Sequence, residues 1–303
     1  MDFRQIQYFL ALFEDGSVTQ AARRLGIVQP TLSMQIARLE EELGQQLFER
    51  KRQGMSPTAA GRHMYRLFSP IARDFTSARA ELLQRSEAVT GRVSLGLLSS
   101  LAESVLPDAL SRFSDAYPHV EVMIAVGYST SLIDWVSNGQ VDAAIINLPR
   151  ARLSLAVEPL AEEDMLLVTG SACGPLLPPS IRLARLPDLE LDLILPTRRH
   201  GLRGVLDTAA QQEGITLAPK YEVDVLGTIV RLVESTRFAT VLPRIVVQRA
   251  VNEGTLRVCP IQSPRIVRQV VRVSDPQRPL GTAAHALIDA VADEIRRVLG
   301  VAA

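Results

Sequence analysis

Lysine is nearly missing from this chain. Lys51 and Lys220 are the only two in 303 residues, so arginine supplies almost all of the positive charge, a bias that reads as codon usage rather than chemistry. There is no excess of either sign: 33 basic residues face 33 acidic ones, and the formal net charge is zero. That balance excludes a histone-like, charge-driven coat for nucleic acid. It leaves room for DNA binding by one small domain inside a neutral chain. Cysteine is scarce, with only Cys173 and Cys259, and their spacing matches no metal motif. Both are expected to be reduced thiols acting as small buried hydrophobes. No apolar run reaches the length of a membrane span. Met1-Asp2-Phe3-Arg4-Gln5 lacks the basic stretch and apolar segment of a signal peptide, so a cytoplasmic location is expected. Catalytic signatures are also missing: no G-x-S-x-G, H-E-x-x-H, G-x-x-x-x-G-K or G-x-G-x-x-G occurs. His63, His119, His200 and His285 are scattered, without a cysteine or second histidine near any of them. These absences predict no catalytic residues, no metal and no resident cofactor.

What is present is apolar content, 47% of the chain, ample for about two domains. The first helix is expected from about Phe3 to Glu14, where Ile6, Phe9, Leu10 and Phe13 form one stripe before Asp15-Gly16 breaks it. Ser17-Val18-Thr19-Gln20 reads as a capping box for a short second helix that Gly26 ends. Pro30 suits the first turn of a third helix. There Leu32, Ile36, Leu39 and Leu43 face inward, while Thr31, Met34, Gln35 and Arg38 face out, up to a stop at Gly44. Two helices about a tight glycine turn, the second with a polar outer face, make a helix-turn-helix. Arg50-Lys51-Arg52, then Gln53 to Thr58, read as a hairpin with a basic tip, a wing placed to touch phosphate.

Here the sequence resembles a family. Gly16-Ser17-Val18-Thr19-Gln20-Ala21-Ala22, Gln29-Pro30-Thr31-Leu32-Ser33, Ile36-Ala37-Arg38-Leu39-Glu40, Leu43-Gly44, Leu47-Phe48-Glu49-Arg50 and Thr58-Ala59-Ala60-Gly61 resemble, in order and spacing, the N-terminal signature of LysR-type transcription regulators. A looser likeness points to the nitrogen-assimilation-control and cyanate-regulator branches. One departure is Val28, where the family usually has a small residue, which leaves the third helix without a standard cap. The resemblance implies a regulator that binds double-stranded DNA, works as a homodimer or homotetramer, contacts RNA polymerase and answers to a small molecule. It implies that Gln29, Pro30, Thr31, Ser33, Met34, Gln35 and Arg38 meet the major groove, with Arg50, Lys51 and Arg52 on phosphate.

Residues 58–90 read as one linker helix, about 48 Å long at the usual rise. Met64, Phe68, Ile71, Phe75, Ala78 and Leu82 alternate steps of four and three, a heptad seam suited to pairing with a second copy. Pro70 interrupts the seam and predicts a kink.

From Gly91 on, β-branched runs alternate with helical stretches, and the β-α-β order implies parallel strands with helices on both faces. The expected fold is thus α+β overall. Residues 1–57 form a winged helix-turn-helix, 58–90 the linker helix and 91–303 a two-lobed α/β domain resembling periplasmic solute-binding proteins. Lobe one spans about 91–162 and 266–303, lobe two about 163–265, with crossings near 161–163 and 265–269. Ligands of open α/β sheets sit beyond the carboxyl ends of strands. That rule selects Ser99, Ser100, Tyr128, Ser129, Thr130, Asn147, Arg198, Arg199 and Thr228 as effector contacts. Arg198-Arg199-His200, with Arg203 one turn on, would make one wall cationic, and no carboxylate stands out at these loops, so an anionic effector is expected. Two other readings fit parts of the pattern: a solute-binding module with an unrelated N-terminal bundle, and an enzyme tethered to DNA whose triad assembles only in space. The intact wing disfavours the first and the missing motifs the second.

Overall fold

The computed structural model describes residues 1–51, 54–83, 89–149 and 151–300, giving only the backbone of residues 73, 74 and 77–83. The chain forms two compact units, Met1–Ala88 with Asn138–Gln140, and Val89–Ser137 with Val141–Ala303.

In the first unit, α1 (Phe3–Asp15) opens on a capping box that the sequence reading did not identify. Asp2 accepts the Gln5 amide at 2.8 Å, and the Gln5 side chain accepts the Asp2 amide at 2.9 Å. Gly16 ends the helix in the left-handed region, with φ 61°, which costs a glycine nothing. Before α2 (Val18–Arg24) only the Ser17 half of the expected box forms among the described bonds, a long contact of 3.5 Å from the Gln20 amide. α3 (Gln29–Leu43) starts at Val28 without a side-chain cap, as the departure at that position implies. Then β1 (Phe48–Lys51) and β2 (Gly54–Pro57) pair antiparallel as the wing. The Met55 amide donates to Gly16 O at 2.8 Å and holds the return strand to the α1–α2 turn. Phe9, Leu12, Ala21, Leu32, Ile36, Leu39, Leu47 and Phe48 form the core. α4 (Ala59–Leu83) runs through Pro70 and is about 37 Å long at 1.5 Å per residue. Residues 84–88, which the linker helix was expected to include, lie outside the described residues.

The second unit is built on one sheet. β3 (Gly91–Leu97) lies between β4 (Val120–Val126) and β5 (Ala143–Asn147), all three parallel. β12 (Val267–Ser274) pairs antiparallel with β5 and with the first half of β6 (Ala156–Gly170). The second half of β6 belongs to the other lobe, flanked by β10 (Ala239–Pro243) and β11 (Leu256–Gln262), with β7 (Ile181–Arg182) beyond β11. One unbroken 15-residue strand is therefore the first crossing, and the step from β11 to β12 is the second. Where Pro159 cannot donate a ladder bond, the β6–β12 register slips between Val270 and Val271. Helices α5 (Ser99–Ser104), α6 (Leu106–Ala116), α7 (Ser129–Ser137) and α11 (Thr282–Leu299) clothe lobe one. α8 (Gly201–Gln212), α9 (Leu226–Ser235) and the short parallel pair β8 (Ile194–Leu195) and β9 (Tyr221–Glu222) build lobe two, and α10 (Arg244–Asn252) follows β10. The first helical stretch of lobe one is two helices, α5 and α6, that meet at Val105. In lobe two Leu183–Leu189 coils into 3-10 turns containing Pro187, and the strand that follows is only Ile194–Leu195. No helix among the described residues is long and apolar enough to cross a membrane.

Candidate functional site

The first candidate surface lies on α3 and the wing. Leu32, Ile36 and Leu39 are buried, and their spacing turns Gln29, Pro30, Ser33, Met34 and Arg38 to solvent, with Thr31 and Gln35 half-buried. Met34 is 61% exposed and the neighbouring Val28 67%, an apolar pair on an otherwise polar face. Gln35 Oε1 accepts Gln5 Nε2 at 3.4 Å, which orients it from α1. Arg50 and Lys51 stand exposed on β1, and Arg52 lies outside the described residues. Two exposed cations beside a helix with exposed Gln, Ser, Met and Arg can grip phosphate on one side and present base-reading groups on the other.

The heptad seam divides. Met64 is 5% exposed and lies in the core of its own unit, because the first turns of α4 pack on α1, and Phe68 packs against the same core. Met64 is thus corrected from a seam residue to a core residue. Ile71 and Phe75 remain exposed, with the Phe75 ring 4.1 Å from that of Phe3. The side chains of Ala78 and Leu82 lie outside the described residues.

The second candidate site is between the lobes of the second unit. Ser100, Asn147, Ser129 and Tyr128 all come to it, as the strand-end rule expects. The tip of α8 meets them so closely that a Cβ on Gly201 would stand 2.8 Å from Asn147 Nδ2 and 4.0 Å from Ser129 Oγ. At the centre is a residue that rule did not select. Arg268, on β12, is 0% exposed; its Nη1 donates to Ser100 Oγ at 2.8 Å and its Nη2 pairs with the carboxylate of Glu163 directly across on β6. Glu163 also accepts the Ile245 amide at 3.0 Å at the start of α10. Arg268 Nε, Ser129 Oγ and Asn147 Oδ1 are buried and have no hydrogen-bond partner among the described residues. Tyr128 reaches across the cleft, its hydroxyl donating to Asp224 at 2.8 Å and its ring edge-on to His200 at 5.9 Å. The hydrogen bond to Asp224 raises the Tyr128 pKa above its ordinary value.

The expected cationic wall is overturned in three places. Arg203 is buried and spent inside lobe two on Asp207 and Glu222, both at 2.7 Å, and on Pro196 O. His200 is buried and caps α8, its Nδ1 accepting the Leu202 amide at 3.2 Å. Burial pushes its pKa down and the Arg268 charge adds to this, against the opposing pull of Asp224, so the neutral ring is favoured. Asp224 is the carboxylate not anticipated at these loops. Burial works against its charge, yet hydrogen bonds from Thr197 and Tyr128 outweigh burial and lower its pKa. Arg198, Arg199, Thr130 and Thr228 are exposed and Ser99 is half-buried. One signal for Arg268 was available: the period of two along β12 puts it on the inward face with Ile266 and Val270. Glu163 carried no comparable signal, because it sits among Glu162 and Asp164.

Known proteins resemble both parts of the chain. A family model described as the LysR substrate binding domain matches residues 86–296. A second, described as the bacterial regulatory helix-turn-helix protein of the lysR family, matches residues 3–62. The nitrogen assimilation regulatory protein nac of Klebsiella aerogenes is 30% identical over 80% of this chain and 78% of its own. The hydrogen peroxide-inducible genes activator of Haemophilus influenzae is 26% identical over 99% of both. Among solved structures, full-length OxyR from Pseudomonas aeruginosa superposes with a TM-score of 0.75 at 24% identity, over 98% of this chain and 95% of that one. Full-length CbnR complexed with its target DNA gives 0.65 at 20% identity, over 97% of this chain and 100% of that one.

Proposed function

Since this chain belongs to the LysR family of transcription regulators, we propose that it binds DNA sequence-specifically through α3 and the wing, pairs with a second copy through the exposed part of α4, and is switched by a small molecule held between the lobes. The observation that carries the reading is the exposed face of α3 beside two exposed cations of the wing, Arg50 and Lys51, in a chain whose other unit has a polar, two-sided cleft. Gln29, Thr31, Ser33, Met34, Gln35 and Arg38 enter the major groove with Pro30 starting the helix, and Arg50, Lys51 and Arg52 take phosphate. Ile71 and Phe75 meet a partner, with Leu82 further along α4. The protein acts in the cytoplasm, contacts RNA polymerase, and regulates rather than catalyses.

For the effector we propose a small anion that also donates a hydrogen bond. Ser129 Oγ at the start of α7 favours a negative group, as does Arg268 Nε. Asn147 Oδ1 asks for a donor. Arg199 is a mouth residue rather than a wall. The DNA reading is tested by selecting duplexes from a random library with the full chain and titrating the winners with salt. A selected consensus with two half-sites and a steep salt slope supports it, and binding without sequence preference overturns it. The effector reading is tested by a thermal-shift screen of carboxylates, neutral metabolites and amines. A hit confined to amines overturns the charge assignment.

A further inference from the structure

The turn between α3 and the wing has an unusual electrostatic demand. The amides of Leu47 and Phe48 are consecutive and both point to one side, so no strand partner can satisfy the two together. Both donate to one carboxylate oxygen: Glu40 Oε1 accepts Leu47 N at 2.7 Å and Phe48 N at 3.0 Å. Glu40 is on the last turn of α3, half-buried and one turn beyond the buried Ile36. The other face of the same turn is gripped by α4. Leu47 O accepts the Thr58 amide at 2.9 Å, and Thr58 Oγ1 donates to Gln46 O at 2.7 Å while capping α4 through the Gly61 amide at 3.0 Å. Gly61 rests directly on Leu47 O, where any Cβ would collide with that backbone oxygen. Leu47 and Phe48 themselves are buried in the core, and β1 begins at Phe48. Three functional elements thus share one backbone turn, and the acceptor that sets it is a charged side chain of the recognition helix. Charged acceptors make shorter and stronger bonds than neutral ones, and a buried amide left without one is costly.

We propose that Glu40 is a positioning residue for DNA binding: its carboxylate fixes the root of the wing, and through Leu47 the root of α4, against α3, so that the three elements turn as one rigid body. The proposal rests on reading α3 and the wing as the DNA interface. It implies that a signal arriving along α4 reorients the whole head rather than bending it at residues 46–48.

Full-length Glu40→Ala, Glu40→Asp and Glu40→Gln chains separate the possibilities. Aspartate keeps the charge but is one methylene short of spanning to both amides, while glutamine keeps the acceptor in place without the charge. Hydrogen exchange needs no DNA, and it is expected to speed up at the Leu47 and Phe48 amides in Glu40→Ala and Glu40→Asp, with Ile36 and Leu39 still protected and Glu40→Gln between these and wild type. Binding to a fluorescein-labelled mixed-sequence duplex is then titrated with salt. Losing register of Arg50 and Lys51 removes about two phosphate contacts, so the log–log slope should flatten by about 1.8 in the alanine and aspartate chains and hold in the glutamine chain. If Glu40→Asp folds with unchanged exchange at Leu47 and Phe48, the positioning role is overturned, whatever DNA does. Fast exchange with an unchanged salt slope overturns the coupling to the wing. A wild-type chain that binds no duplex refutes the DNA reading instead, and the exchange arm still decides the mechanical part.

Discussion

A guanidinium that loses all contact with water has to be matched by a negative charge, and Arg268 is matched by Glu163 on the adjacent strand. Removing one partner of such a pair leaves a buried charge uncompensated, at about 3–5 kcal/mol, whereas removing both is close to neutral. Arg268→Met is therefore expected to destabilise the second unit by that amount in urea unfolding, and Arg268→Met with Glu163→Leu to regain most of it. A double variant as weak as the single one would mean that the pair is not the reason the site holds. On the other unit, Val28 and Met34 put exposed apolar atoms on a face otherwise made to hydrogen-bond. The apolar group a major groove offers is the thymine methyl. Replacing thymine by uracil at one or two positions of a selected half-site should weaken binding by about 1 kcal/mol each, near the value of a buried methylene. In a Met34→Ala chain the same replacement should cost much less. Equal losses in both chains would exclude Met34 as the reader.

At the scale of elements, α4 changes role along its length. Its first turns are core, through Met64 and Phe68, and its middle is exposed, through Ile71 and Phe75. The two kinds of position should fail differently. Met64→Ala leaves a cavity in a small core and is expected to cost about 2–5 kcal/mol in stability with the oligomer intact at low temperature. Ile71→Asp should leave the fold unchanged and shift sedimentation from dimer to monomer, because a carboxylate in an apolar seam stays unpaired. A dimer of unchanged strength in Ile71→Asp would place the pairing surface elsewhere. The heptad spacing was legible in the sequence, but it cannot say which side of a helix meets its own domain, since both packings use the same stripe.

Over the whole second unit, stability is linked to a buried group that titrates. His200 caps α8 as a neutral ring, and its pKa is depressed below 6.5, by burial first and by the Arg268 charge. The unfolded chain then binds the proton more readily than the folded one. The stabilisation is complete above the unfolded pKa of 6.5 and is lost progressively as the pH falls from there towards the depressed folded value. Protonation also removes the Nδ1 acceptor from the Leu202 amide and sets a positive charge at a helix N-terminus. The melting temperature of the second unit is expected to drop between about pH 7.5 and about pH 5.5, and the drop should shrink in a His200→Gln chain. Profiles of equal steepness in the two chains would assign the acid sensitivity to other groups.

What the sequence by itself determined was local. The i, i+3, i+4 stripes of Ile6 to Phe13 and Leu32 to Leu43, the stops at Gly16, Gly26 and Gly44, and the alternation through β3 and β12 placed most elements within a few residues. Each depends only on neighbours within two turns of chain. Strand ends followed as well, which is why the pattern groups Ser100, Tyr128, Ser129 and Asn147 at the ends of strands. The fate of each charge was decided by the tertiary structure alone. Arg198, Arg199 and Arg203 look alike in a row, yet two face water and the third is consumed by Asp207 and Glu222. Glu163 meets Arg268 and Tyr128 meets Asp224 only because strands and helices distant in the chain cross there. Burial and pairing set whether a side chain is a ligand-facing charge or an internal strut, and both are properties of the surroundings rather than of the residue.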